Sequence, residues 1–196
     1  MQFRSMMVAA AAVIALSGCD QLGLVSQKEA EPSATTVTEP EPAPPVDVVA
    51  ETLARGAAVF TGGKQNLRFP PELTVTAIQP DNHVVVSGTL IDPIPAGQTG
   101  GLVFPVPEEI ESAASGKLIR IHAVVSSEAA GEAFLAYSTN EVGNSGWMPF
   151  QVTTEEAAVV LEYSVPVMNE GRDDFIGIDP KGNTLTIKAI AVEVVS

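Results

Sequence analysis

The sequence predicts an all-β protein: an antiparallel β-sandwich of the jelly-roll type, preceded by an export signal and a disordered tether. Three observations predict it. From about residue 52 onward apolar and polar residues alternate with period two, turn-forming residues recur every eight to twelve positions, and amphipathic helical spacing is nearly absent. The stretch 52–196 holds 145 residues, which suits one domain with a real core.

The first element is residues 1–18. One cation, Arg4, precedes the apolar run "MMVAAAAVIALSG", which is far short of the roughly 20 residues that span a bilayer core. A charged start, a short apolar middle and small residues before a cut are the pattern of a cleaved secretory signal. Cys19 is the only cysteine in the chain, so no disulfide partner exists for it. Leu16, Ser17, Gly18 and Cys19 closely resemble the lipobox of bacterial lipoproteins, a likeness confined to the first nineteen residues. It implies that Cys19 becomes the mature N-terminus and carries a diacylglycerol thioether. Each buried CH₂ contributes about 0.8 kcal/mol, so one acyl chain binds marginally and the two or three of a mature lipoprotein attach stably. Membrane lipid is thus the first expected partner. Asp20 resembles the enterobacterial signal for inner-membrane retention, which implies the periplasmic face of the inner membrane, with the outer membrane as the alternative.

Residues 19–51 form the second element. "EAEPSATTVTEPEPAPPVDVVAE" is rich in Pro, Glu, Thr and Ala and lacks aromatic residues. Such a stretch buries too little surface to offset its ordering entropy and is expected to be disordered. As a spacer it reaches from roughly 30 Å when coiled to about 100 Å when extended.

Within 52–196 the strands are read in order. A helical exception spans "VVAETLARGAAVF", where Val49, Leu53 and Ala57 share a face. "ELTVTAIQ" and "HVVVSGTL" follow, joined by the polar turn "PDN", and then the weaker "GLVFPV". In "KLIRIHAVVSS", Ile119, Ile121, Ala123 and Val125 face one way, with Arg120 and His122 on a polar face opposite. Leu135 and Tyr137 mark the next strand, and "GWMPFQV" another. Val159, Leu161, Tyr163 and Val165 alternate in "AAVVLEYSV", and "DFIGID" comes next. Asp179, Pro180, Lys181 and Gly182 fit a type I turn. In "TLTIKAIAVEVVS", Leu185 and Ile187 have one parity while Ile190, Val192 and Val194 have the other. A β-bulge near Ala189 would return both sets to one face. These runs give eight or nine strands.

The order of strands and turns from Gly116 to Glu193 resembles the galactose-binding-like, carbohydrate-binding-module-like jelly rolls of bacterial surface proteins. The resemblance rests on "SGKLIRIHAVVSS", "FLAYSTNEVGNSGWMPFQV", "EYSVPV" and "DDFIGIDPKGNTLTIKAIAVE". It implies a noncatalytic binding or accessory module, often for glycans, with a structural calcium in many cases. A fold alone does not carry a function.

Candidate site residues follow from chemistry. The loop "STNEVGNSGW" offers Asn140, Glu141, Asn144 and Trp147. Apolar sugar faces pack on aromatic rings, while amides and carboxylates bond hydroxyl groups. Asp173, Asp174 and Asp179 are the candidate calcium ligands, as that ion takes six to eight oxygens. No other cofactor is suggested, since His83 and His122 lie far apart and no motif of a known catalytic site occurs. The net charge is −14 overall and about −9 in 52–196, a sign that repels nucleic acid. The function expected is a lipid-anchored, noncatalytic envelope module for a glycan or an envelope protein. The alternative is a structural or assembly subunit of an envelope complex.

Overall fold

The computed structural model describes residues 46–63, 66–78, 82–91, 100–140, 142–168 and 173–195. Residues 1–18, read above as an export signal, Cys19, and the expected tether before Val46 lie outside these residues. The elements are α1 (Val48–Arg55), β1 (Ala57–Phe60), β2 (Leu73–Ile78), β3 (His83–Gly88), β4 (Leu102–Pro105) and α2 (Glu108–Ala114). Then come β5 (Leu118–Ser127), β6 (Gly131–Thr139), β7 (Gly143–Asn144), β8 (Met148–Val152), β9 (Ala157–Ser164), β10 (Phe175–Asp179) and β11 (Leu185–Val195).

Two antiparallel sheets pack face to face as a β-sandwich of the jelly-roll type. The first has the order β2-β3-β11-β5-β9, with β1 also paired to β11. The second has the order β4-β10-β6-β7, with β8 also paired to β6. Alternation decides which side chains enter the core. Ile119, Ile121, Ala123 and Val125 of β5 meet Ala133, Leu135 and Tyr137 of β6, with Ile176 and Ile178 of β10 beside them. Burying one such aliphatic side chain stabilises the fold by about 1.5–3 kcal/mol.

The bulge in β11 falls where the parity change requires it. Ile187 faces Val125 and Ala189 faces Val124, so Lys188 is the extra residue. Leu185, Ile187, Ile190 and Val192 consequently all belong to the core cluster.

Four local readings of the sequence are corrected. The helix ends at Arg55, and Ala57 begins a strand paired with Val192. A Cβ at Gly56 would lie 2.5 Å from the Val192 carbonyl oxygen, so the chain passes against β11 and turns extended there. At its other end the helix begins at Val48, inside the stretch whose composition suggests a tether. The Asp47 side chain accepts the Ala50 N–H at 3.0 Å and caps it.

The outer face of β5 is also less open than its alternation suggests. Helix α1 runs along β11, β5 and β9, and His122, Val124 and Ala191 are buried although they lie on the outer face. His122 Nε2 sits 3.0 Å from Glu193 Oε2, and Arg120 bonds Glu162 at 2.8 Å. The short helix α2 was not anticipated, because seven residues give periodicity little to act on.

Candidate functional site

The site is built on the outer face of the second sheet, near the end where β6 begins. Because Ala133, Leu135 and Tyr137 point inward, Phe134 must point outward. The same rule on β10 sends Ile176 and Ile178 inward and Asp179 outward, and the register places Asp179 directly opposite Phe134. On the other flank of β6, Met148 faces Leu135 and packs on the core, so Trp147 turns to the outer face.

The turn after β10 supplies the fourth group. The Asn183 N–H donates to the Pro180 carbonyl at 2.9 Å, and both central residues have positive φ, 53° at Lys181 and 83° at Gly182. This is the type I′ class, one residue later than the type I turn the sequence suggested. Lysine rarely adopts such a φ. Here the Asp179 carboxylate accepts the Lys181 N–H at 2.8 Å, and the Gly182 N–H bonds the Gly88 carbonyl at the end of β3. Held this way, the Lys181 ammonium lies 4.6 Å from the centre of the Phe134 ring.

Thr89, Leu90 and Ile91, which continue β3, close the remaining side. Together with Phe134, Trp147, Asp179 and Lys181 they line a cavity of about 210 Å³. That is below the roughly 300–1,000 Å³ of sites for drug-sized molecules, and suits a single ring-sized group. Two aromatic surfaces, a carboxylate, an ammonium and a hydroxyl converge on it. The combination can stack an apolar face and bond hydroxyl groups around its rim.

The residues suggested by the sequence are dispersed by the fold. Trp147 and Asp179, proposed for different ligands, meet in this cavity. Asn140 follows the other end of β6, about 20 Å along the strand from Phe134, and is not among the residues that line the cavity. Asn144 shapes its own loop: its Oδ1 accepts the Gly146 N–H at 2.8 Å, next to Ser145, whose Oγ accepts the Tyr137 N–H at 2.9 Å. Glu141 lies outside the described residues.

The three aspartates likewise do not form one calcium site. Asp173 and Asp174 precede β10 and Asp179 ends it, so the strand itself separates them. Among the described residues, no group of three or more acidic, histidine or cysteine side chains is arranged to hold a metal ion. Asp174 has a different use. It is buried, with its Oδ2 accepting the Tyr137 hydroxyl at 2.8 Å, while its N–H donates to Glu111 Oε1 of α2 at 2.8 Å. Burial pushes the Glu111 carboxyl above the ordinary carboxylate range, against the lowering effect of the Asp174 N–H, and the nearby Asp174 charge adds to the rise. Burial and the Asp174 hydrogen bond raise the Tyr137 phenol as well.

Phe134, Lys181 and Thr89 were missed in the sequence. Phe134 was accessible to the same parity that sent Leu135 and Tyr137 inward. Lys181 was hidden by the one-residue misplacement of its turn, and Thr89 carries no local signal.

No family model matches the sequence, and no curated protein matches it. Solved structures match it with low overall similarity. The apo form of CBM1 of BiXyn10A is 14% identical with a TM-score of 0.48, over 71% of this chain and 94% of that one. The second N-terminal cellulose-binding domain of β-1,4-glucanase C from Cellulomonas fimi is 12% identical with a TM-score of 0.46, over 74% and 99%. The CBM22-1 xylan-binding domain of Xyn10C from Paenibacillus barcinonensis is 11% identical with a TM-score of 0.44, over 71% and 92%. At these values the likeness carries nothing about ligand, and the site must be read from its own residues.

Proposed function

We propose that this chain is a noncatalytic envelope module, fastened to membrane lipid through Cys19, that binds a single sugar ring of a glycan in the cavity between Trp147 and Lys181. The observation that carries the reading is the convergence of Phe134, Trp147, Asp179 and Lys181 on one concave patch. The amphipathic character of a pyranose, with apolar C–H faces and a polar edge, matches aromatic walls with a charged rim. Anchoring rests on the lipobox-like residues 16–19 and on the absence of any other cysteine from the sequence.

The chain has one tryptophan, and it forms a wall of this cavity, so intrinsic fluorescence reports occupancy directly. Titration with a panel of mono- and oligosaccharides is expected to shift the emission for at least one sugar class. By calorimetry the same sugar should lose about two- to tenfold in affinity on Phe134→Ala or Trp147→Ala, given about 0.5–1.5 kcal/mol for an aromatic contact beyond its area. No response to any saccharide would end the reading. Anchoring is checked separately: labelled fatty acid supplied to the native host should attach to the wild type and not to Cys19→Ser.

A further inference from the structure

Beyond the cavity, the free edge of the first sheet carries an inference of its own. An exposed strand edge offers unpaired N–H and C=O groups to any passing strand, and folded proteins blunt such edges with short strands, prolines, lysines or bulges. Most edges here follow that rule. Strand β4 has four residues, ends in Pro105 and is bridged at Val103 by Arg68. Strand β8 contains Pro149, β7 has two residues, β1 has a register shift, and Pro70 and Pro71 stand one residue, Glu72, before the start of β2.

Strand β9 has none of these devices. Its eight residues, AAVVLEYS, pair with β5 without a register shift and, among the described strands, with nothing on the other side. Its one charge, Glu162, is engaged by Arg120. Val160, at the middle of its outer face, is 49% exposed. Val159, Leu161 and Tyr163 point toward the core yet remain only partly buried, so the sandwich is open along this edge.

We propose that β9 is the contact through which two copies of this chain pair, antiparallel and about a two-fold axis, into one continuous sheet. The charges select the register. With Val160 on the axis, it faces Val160 of the second copy, Glu162 faces Ala158, Val159 faces Leu161 and Tyr163 faces Ala157. Moving the axis to Val159 would set Glu156 against Glu162, and moving it to Glu162 would oppose that carboxylate to itself. Like charges directly opposite are destabilising. An axis at Leu161 avoids this but sets Val160 against Glu162, whereas the Val160 register buries apolar on apolar. A closed two-fold contact of this kind uses one patch twice and stops at the dimer. The axis stands normal to the sheet, so both α1 helices lie on the same side of the joined sheet.

The test is sedimentation of the intact chain in density-matched detergent, with circular dichroism to verify folding of each variant. The wild type is expected at twice the monomer mass. Val160→Lys and Val160→Glu should each shift to the monomer mass while keeping the wild-type spectrum, and an equal mixture of the two should return to the dimer mass. In the intact chain, Val160→Cys should cross-link under mild oxidation, because antiparallel partners have Cα atoms about 4.5–5.5 Å apart, within disulfide range. A wild type at monomer mass at every concentration, or a dimer indifferent to both charged variants with no Val160→Cys cross-link, would overturn the proposal. Saccharide binding at the cavity is independent of either result.

Discussion

Tyr137, Asp174 and Glu111 show how single residues set the behaviour of this interior. A buried phenol needs a partner, and Asp174 supplies it across the core from the residue before β10. Tyr137→Phe keeps the ring and removes one donor from a buried carboxylate, so it should cost about 1–3 kcal/mol in urea unfolding. Glu111 gives a pH dependence with a definite sign. Burial holds its folded pKa above the ordinary value, so the folded state binds the proton more tightly than the unfolded chain does. Its favourable contribution is complete below the ordinary carboxylate pKa and is lost as pH rises through the raised folded value. Glu111→Gln keeps an oxygen for the Asp174 N–H and has no proton to lose. Its Tm relative to wild type should therefore rise between about pH 4 and pH 7. A difference that is flat or falls across this range would contradict the sign.

Among the elements, β11 shows how far sequence pattern reaches. Its apolar residues change parity after Ile187, and one inserted residue is the simplest backbone that keeps them together. Deleting Lys188 would leave Ile187 and Ile190 two positions apart, so a regular strand would keep Ile190, Val192 and Val194 on the core face and the variant should retain a cooperative thermal transition. Deleting Ala189 as well would set Ile190 next to Ile187 and turn Ile190, Val192 and Val194 outward; at about 1.5–3 kcal/mol for each side chain lost from the core, that variant should have no cooperative transition. The helix at the start of the domain marks the limit of such reading. Val49, Leu53 and Ala57 do share a helical face, but Gly56 lies against the Val192 carbonyl, a tertiary contact with no local signature. The same limit applies to the cavity. Trp147 and Asp179 stood out singly as side chains, whereas their meeting depends on β6 lying between β8 and β10. The alternation of strands was legible because each strand buries one face. Neighbours that strand order alone brings together leave no such trace.

For the whole molecule, the open question of where the folded unit starts has a physical answer in how the first sheet is covered. One face of that sheet is closed by the second sheet, and the other is closed over β11 and β5 by α1. His122, Val124 and Ala191 would be exposed without it. Composition places the end of the expected tether at residue 51, because the three valines and the alanine of "VDVVAE" sit among prolines and acids; the helix nevertheless takes its cap and first turn from that stretch. A chain beginning at residue 52 would lose the Asp47 cap and the first turn, keeping Thr52 and Leu53 at a frayed end. A cap contributes about 0.5–2 kcal/mol and the partly buried Val48 and Val49 somewhat more, so this chain should be less stable than one beginning at residue 44 by about 2 kcal/mol or more. Urea unfolding of the two chains measures the difference. Equal midpoints would mean that α1 rests on the sheet without stabilising it, and the buried state of His122 would then need another cause.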